Sequence, residues 1–246
     1  CTIKEKLMEN WGIEQSSCLG MGRTKEDTQR IIGIVHHALV YGKDGSGLEL
    51  ATNDCSGFEH SIQKEINDAE TELTIKRMNL DTNSFGARLI RNINHLERSA
   101  LYILSDGKVV AKNRNHGTAS GGDRTSVGNT NKRDLLCRYV VGVNSWSREN
   151  GDDNIEEYTE NAVEKYASIG ITIKDYVKID LTTGFEFCSA VYKNGKMKPI
   201  NLVKSFYHLL RKGRTETEVR IFLEDYKDHE KYEECVQTLR AIGWIA

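Results

Sequence analysis

The sequence predicts an α+β fold with an antiparallel centre and helices packed on one side. Three observations carry that expectation. Asp106-Gly107 and Asn194-Gly195 are turn pairs flanked by strand-forming residues. Apolar residues recur at helical spacing before and after them. The element order interleaves hairpins with helices, and no internal repeat is visible.

A length of 246 residues, 38% hydrophobic and 28% charged, suffices for one large domain or two small ones and excludes disorder throughout. Lys plus Arg number 34 against 36 acids, a formal charge of -2. No global basic field exists, so nucleic-acid binding has to come from a locally basic groove. The six cysteines lack CxxC spacing, which predicts reduced thiols, an intracellular setting and no structural zinc. No run reaches the roughly 18 apolar residues of a membrane span, and no signal-peptide pattern is present. A chain that opens on Cys1 and closes on Gly243-Trp244-Ile245-Ala246 is expected to be a piece of a longer one.

The elements follow in order. The first 50 residues are broken by seven glycines around one apolar segment, residues 31–40, which predicts a loop, a helix and a turn. Residues 47–52 read as a strand leading into Asn53-Asp54-Cys55-Ser56-Gly57-Phe58. Ile62, Ile66, Ala69, Leu73 and Met78 then recur at helical spacing. Asp54 thus falls where a strand ends and a helix starts. Residues 84–98 continue as helix, and a hairpin turns at Asp106-Gly107. A polar loop with Gly117, Ser120, Gly121 and Gly122 feeds a helix from about residue 124 to 140. Two strands then flank Gly151-Asp152-Asp153, although Ser147-Arg148-Glu149-Asn150 is unusually polar for a buried strand. Residues 158–169 suit a helix, 171–179 a strand and turn, and 185–192 one strand turning at Asn194-Gly195. Everything after Pro199 reads as helices.

Asp54, Asp152 and Asp153 all stand at turn positions. If the sheet brings them together, several negative charges crowd into a few ångströms, which is costly unless a divalent cation neutralises them. Hard oxygen donors call for Mg²⁺ or Mn²⁺. Two such ions about 4 Å apart would lower the pKa of an attacking hydroxyl and stabilise a leaving pyrophosphate. A lone Gly-Asp-Asp is usually a solvated turn. Its company lifts it: Asp54-x-x-x-x-Glu59, then Ser120-Gly121-x-x-x-Thr125-x-x-x-Asn129-Thr130, then Gly151-Asp152-Asp153, in that order and at domain-scale spacing.

With Asp54-Cys55-Ser56-Gly57-Phe58, Ser105-Asp106-Gly107 and Phe185-Glu186-Phe187-Cys188-Ser189 added, the chain resembles the palm of a positive-strand RNA virus RNA-directed RNA polymerase, of the sobemovirus and polerovirus group, over about residues 18–212. The resemblance implies a right-hand polymerase palm at 48–198, partial fingers at 1–47 and the start of a helical thumb at 199–246. It implies that Asp54, Asp152 and Asp153 bind two Mg²⁺ ions, for which Mn²⁺ can substitute. Glu59 stands where the family usually has aspartate and would sense the ribose. Asn129 would report the 2'-hydroxyl, with Ser120 and Thr125 hydrogen-bonding around it, and Gly121 would act in the loop hinge. Lys178, with Lys174 as a rival, matches the lysine that protonates pyrophosphate. Phe185–Tyr192 resembles the hairpin that grips the primer, although core packing is favoured for Phe185 and Phe187. Lysines and arginines from Lys193 to Arg214 would face a phosphate backbone.

The partners implied are template RNA, the nascent strand, nucleoside triphosphates and other viral replication proteins, in the host cytoplasm at membrane-associated replication complexes. Two departures stand out: Glu59 itself, and the polar Asn150 before Gly-Asp-Asp. The basic fingers motif expected before Cys18 is absent, so the 246 residues alone should polymerise poorly. The alternatives are a reverse-transcriptase-like palm, against which Asn129 with Ser120 and Thr125 argues, and a non-catalytic RNA-binding palm. A mere binder has no use for three carboxylates that repel RNA.

Overall fold

The computed structural model describes residues 8–9, 11–13, 15–42, 45–99, 101–111, 117–118, 125–211, 215–227 and 229–245. They form two compact units, residues 1–21 with 37–179 and residues 22–36 with 180–246. The architecture is mixed α+β with antiparallel sheets, as the sequence predicts.

Helix α1 (Lys25–Tyr41) contributes residues to both units. The first unit continues with β1 (Leu50–Cys55), α2 (Phe58–Ser61), α3 (Lys64–Arg77) and α4 (Phe85–Arg98). The hairpin β2 (Leu101–Ile103) and β3 (Val109–Ala111) follows, then α5 (Thr125–Val140), β4 (Ser147–Asn150), β5 (Asp153–Glu157), α6 (Ala162–Ser168) and β6 (Ile173–Lys178). Its main sheet has the order β4-β5-β1-β6. Strand β1 is central, and all its residues but Asp54 are buried. Nine buried side chains, among them Phe58, Ile62, Leu136, Tyr166 and Ile171, join the sheet to its helices. Fully burying one large apolar side chain of this kind is worth roughly 1.5–3 kcal/mol.

Several boundaries differ from the sequence reading; strand β1 starts at Leu50 rather than Gly47. Strand β1 runs through Asp54 to Cys55, because these residues pair with Asp175 and Ile173 of β6. Helix α6 starts at Ala162 rather than near 158. A backbone bond from Tyr158 N to Glu49 O (2.8 Å) and a bond from Thr159 N to the Tyr176 side-chain hydroxyl (3.0 Å) hold residues 158 and 159 against the sheet until then. The Asp106-Gly107 turn is as expected, with Gly107 at φ 81° and the Lys108 N–H donating to Asp106 Oδ1.

The second unit has a three-stranded sheet, β7 (Phe185–Phe187), β8 (Ala190–Lys193) and β9 (Lys196–Pro199), followed by α7 (Leu202–Arg211), α8 (Glu216–Tyr226) and α9 (Tyr232–Ala241). The single strand expected over 185–192 is two strands. Cys188 and Ser189 turn the chain between them with φ of 53° and 55°, values that L residues seldom adopt. The second turn is the expected Asn194-Gly195. Phe185 and Phe187 are buried, and Leu202, Phe222, Tyr226 and Cys235 form the helical core.

Candidate active site

The register of the main sheet assembles the acids. Asn53 of β1 lies directly opposite Asn154 of β5, the last pair of that ladder, so Asp54 and Asp153 are the residues that flank it at the same end of the sheet. Asn150 pairs with Asp153 across the β4–β5 hairpin, whose tip is Gly151-Asp152. Gly151 has φ 69°, and a Cβ there would meet nothing within 4 Å, so glycine serves the backbone conformation rather than space. Its N–H donates to Thr130 Oγ1 at 2.8 Å, and that hydroxyl donates to Ser126 O at 2.8 Å. The tip is thereby tied to α5.

Asp54 and Asp153 are half-buried and Asp152 is exposed. Burial pushes the Cys55 thiol up, Arg133 opposes the shift, and the charges of Asp152 and Asp54 add to it. Lys174 Nζ donates to Asp54 Oδ2 at 2.8 Å. That bond raises the Lys174 pKa, and the Asp54, Asp175 and Asp152 charges reinforce it. Both partners are substantially exposed, so the ion pair itself stabilises the fold by little. Among the described residues no three His, Cys, Asp or Glu side chains form a group able to hold a metal ion. The carboxylates of Asp54, Asp152 and Asp153 lie toward one end of the sheet and are in kind the donors that a hard divalent cation prefers. Lys174 supplies positive charge to one of them.

The other expected residues divide. Glu59, half-buried on α2, accepts the Thr118 N–H on its backbone oxygen at 2.7 Å. Thr125 is the first residue of α5, and Asn129 lies one turn later, 5% exposed. The Asn129 Oδ1 is buried with no hydrogen-bond partner among the described residues, a costly state for an amide oxygen if nothing else meets it. Ser120 and Gly121 lie outside the described residues, as do Lys212 and Arg214 of the basic cluster. Lys178 pairs with Ala51 in the ladder, while its Nζ contacts Glu49 and sits 5.0 Å from the Tyr158 ring centroid. Asp54 is opposite Asp175, so Lys178 is about 10 Å further along the strand. The structure brings Lys174 to the acids and does not bring Lys178.

Beneath the acids lies a polar network that the sequence reading did not single out. Arg133 has 0% exposure, donates from one guanidinium nitrogen to Tyr166 Oη at 3.0 Å and from another to Asn53 Oδ1, and stacks 4.8 Å from the Tyr166 centroid. Glu156, also fully buried, accepts from Tyr166 Oη at 2.7 Å and from Asn154 Nδ2 at 2.6 Å, with Arg133 at 3.9 Å. The polar strand β4 belongs to the same interior: Ser147 and Glu149 are buried. Burial, and then the Asp134 charge, push the Glu149 carboxyl up to about 7. The polarity of residues 147–150 was the visible signal of this interior.

A family model described as viral RNA-directed RNA-polymerase matches residues 66–212, more than half of the chain. The chain belongs to the viral RNA-directed RNA polymerases. Within this family it is 32% identical over 169 residues to the replicase polyprotein P2AB of Southern cowpea mosaic virus, covering 67% of this chain and 17% of that protein. It is 25% identical over 203 residues to the RNA-directed RNA polymerase of Mushroom bacilliform virus, covering 79% of this chain and 47% of that protein. Its fold is similar to the crystal structure of a human picobirnavirus RNA-dependent RNA polymerase, with a TM-score of 0.63 and 14% identity over 87% of this chain and 44% of that one. The chain therefore spans about half, or less, of the length of the relatives that it matches. Among the described residues no helix is long and apolar enough to cross a membrane.

Proposed function

We propose that this chain carries the catalytic acids of an RNA-directed RNA polymerase, which transfers a ribonucleoside monophosphate from a nucleoside triphosphate to an RNA 3'-hydroxyl and releases pyrophosphate. The observation that supports the reading is the ladder register: Asn53 opposite Asn154 and Asn150 opposite Asp153 put Asp54 and the Gly151-Asp152-Asp153 tip at the same end of the sheet. Asp54 and Asp152 would hold two Mg²⁺ or Mn²⁺ ions, with Asp153 assisting. Bound there, such ions acidify the attacking hydroxyl and offset the charge of the phosphates. Glu59 and Asn129 would select the ribose; the 2'-hydroxyl both donates and accepts, which suits a carboxylate with an amide whose oxygen has no partner among the described residues. Ser120, Thr125 and Gly121 keep the roles that the family pattern gives them, in the loop leading into α5.

Proton delivery to pyrophosphate falls to Lys174 or Lys178; position favours Lys174, whose ammonium contacts Asp54 while that of Lys178 contacts Glu49, although the Asp54 contact makes Lys174 the weaker acid until it is released. Exposed Lys193, Lys196, Lys204 and Arg211 of the second unit supply local positive charge for an RNA backbone. Template, nascent strand and triphosphates are the partners that the reaction requires; other viral replication proteins, the host cytoplasm and membrane-associated complexes rest on the family alone.

In a complete parent polymerase, Asp152→Asn is expected to lower primer extension by about a thousandfold or more while the melting temperature is kept, since the side chain is exposed. Full activity of that variant under Mg²⁺ would remove Asp152 as a principal metal ligand.

A further inference from the structure

One helix face touches both acid-bearing strands. Thr130 of α5 accepts the Gly151 N–H at the hairpin tip, and Arg133, three residues on and so on the same face, reaches Asn53 on β1. Asn53 immediately precedes Asp54. Its cross-strand partner Asn154 immediately follows Asp153 and donates to Glu156, which also accepts from Tyr166 and lies 3.9 Å from Arg133. The two asparagines are therefore joined beneath the sheet by a single buried set, Arg133, Tyr166 and Glu156.

A fully buried ion pair is seldom more stabilising than apolar packing of the same volume, so this one calls for a reason other than stability. The strand pleat supplies it. Successive side chains point to opposite faces, so a bond that fixes Asn53 on the inner face also fixes the rotation of the strand and the direction of Asp54 on the outer face. The guanidinium is suited to this task because it is planar and permanently charged, and it presents several donors at fixed angles. One of its nitrogens is bound to Tyr166 and another to Asn53.

We propose that Arg133 is a positioning residue for Asp54, acting through Asn53, with Glu156 and Tyr166 holding the guanidinium neutralised and oriented. The proposal rests on the polymerase reading of the acids. It concerns orientation and not net charge, because Arg133 and Glu156 cancel.

Two variants of a complete parent polymerase test it. Asn53→Ala cuts the link to Asp54 and leaves Arg133, Tyr166 and Glu156 in place. The double variant Arg133→Met with Glu156→Gln removes both charges together, so that neither is left buried alone. Each is expected to lower kcat tenfold to a hundredfold with less than a twofold change in the KM for nucleoside triphosphate, the signature of misdirected reacting groups rather than lost binding. In the absence of RNA and nucleotide, Mn²⁺ affinity measured by electron paramagnetic resonance should fall about tenfold. If a folded variant keeps the parental kcat and the parental Mn²⁺ affinity, the network is structural only and the proposal is overturned. Should the double variant fail to fold, Asn53→Ala decides alone. Asp54→Asn, assayed in parallel, separates the two inferences: full activity there would refute the polymerase reading of the acids, whereas its loss together with a normal Asn53→Ala would refute only the role of Arg133.

Discussion

The two units fill their interiors with different chemistry. In the first, Arg133, Glu149, Glu156, Asn53 and Asn154 are buried around the sheet that bears the acids. In the second, the interior is aromatic and aliphatic. Phe206, Phe222 and Tyr226 lie with neighbouring ring centroids 5.4 and 4.9 Å apart, and Leu202 and Cys235 complete the cluster. Apart from Thr28, every buried polar or charged side chain among the described residues belongs to the first unit. Apolar packing is tolerant of small shifts, whereas a hydrogen-bonded polar interior admits few arrangements. The contrast teaches that polar burial is concentrated where side-chain direction matters and omitted where only cohesion is needed.

The sharpest break of that contrast is Glu156→Ala, which leaves the Arg133 charge buried and unpaired. A loss of about 3–5 kcal/mol is expected, read by urea unfolding, with hydrogen exchange loosening in peptides of the first unit. A loss below about 1 kcal/mol would mean that the buried Arg133 charge does not depend on Glu156.

Glu149→Gln should have a smaller, pH-dependent effect. The folded-state pKa of Glu149, about 7, is raised above its ordinary value of 4.5, mainly by burial, with Asp134 adding and Arg133 opposing. A raised carboxyl pKa favours folding below the unfolded value, and this contribution is lost as pH climbs through about 7. The parent should therefore weaken by about 2–3 kcal/mol between pH 5 and pH 8, and the glutamine variant should lose much of that slope. Parallel urea midpoints at the two pH values check it, and identical slopes would remove Glu149 as the cause.

The smallest effect belongs to the second unit. Thr215 and Glu218 form a reciprocal capping box at the start of α8, so Thr215→Ala should cost about 1 kcal/mol, whatever the pH between 5 and 8. A circular-dichroism melt at both values would show it.

The hairpin at Asp106-Gly107, the helix ending at Val140 and the strand–turn–strand around Gly151-Asp152 were legible because each is written in local chemistry. The turn at Cys188-Ser189 was not, since it carries neither glycine nor asparagine and its left-handed backbone is imposed by the pairing of β7 with β8. Nor was the Arg133 network. Helix α5 buries Asn129, Thr130, Asn131, Lys132, Arg133 and Asp134 in succession, and a hydropathy pattern reads such a run as solvated surface. The same blindness left Lys174 and Lys178 as rivals. Spacing along the chain cannot tell which of two lysines on one strand stands beside Asp54; the ladder of β1 against β6 can.

The outer edge of β4 is closed by a short stretch of chain. Ser17 bridges Glu149 in parallel, Cys18 N donates to Glu149 O at 2.7 Å, and Glu149 N donates to Ser16 O at 3.0 Å. Ser16 Oγ in turn donates to Asp134 on α5 at 3.1 Å. Strand edges left open are templates onto which other molecules add strands. With β1 on one side and residues 16–18 bridged to Glu149 on the other, the hairpin bearing Asp152 and Asp153 is paired on both sides at that point among the described residues. A proteolytic cut that released residues 16–18 would turn the acid-bearing hairpin into an adhesive surface, and the first sign of damage would be self-association of the protein in solution.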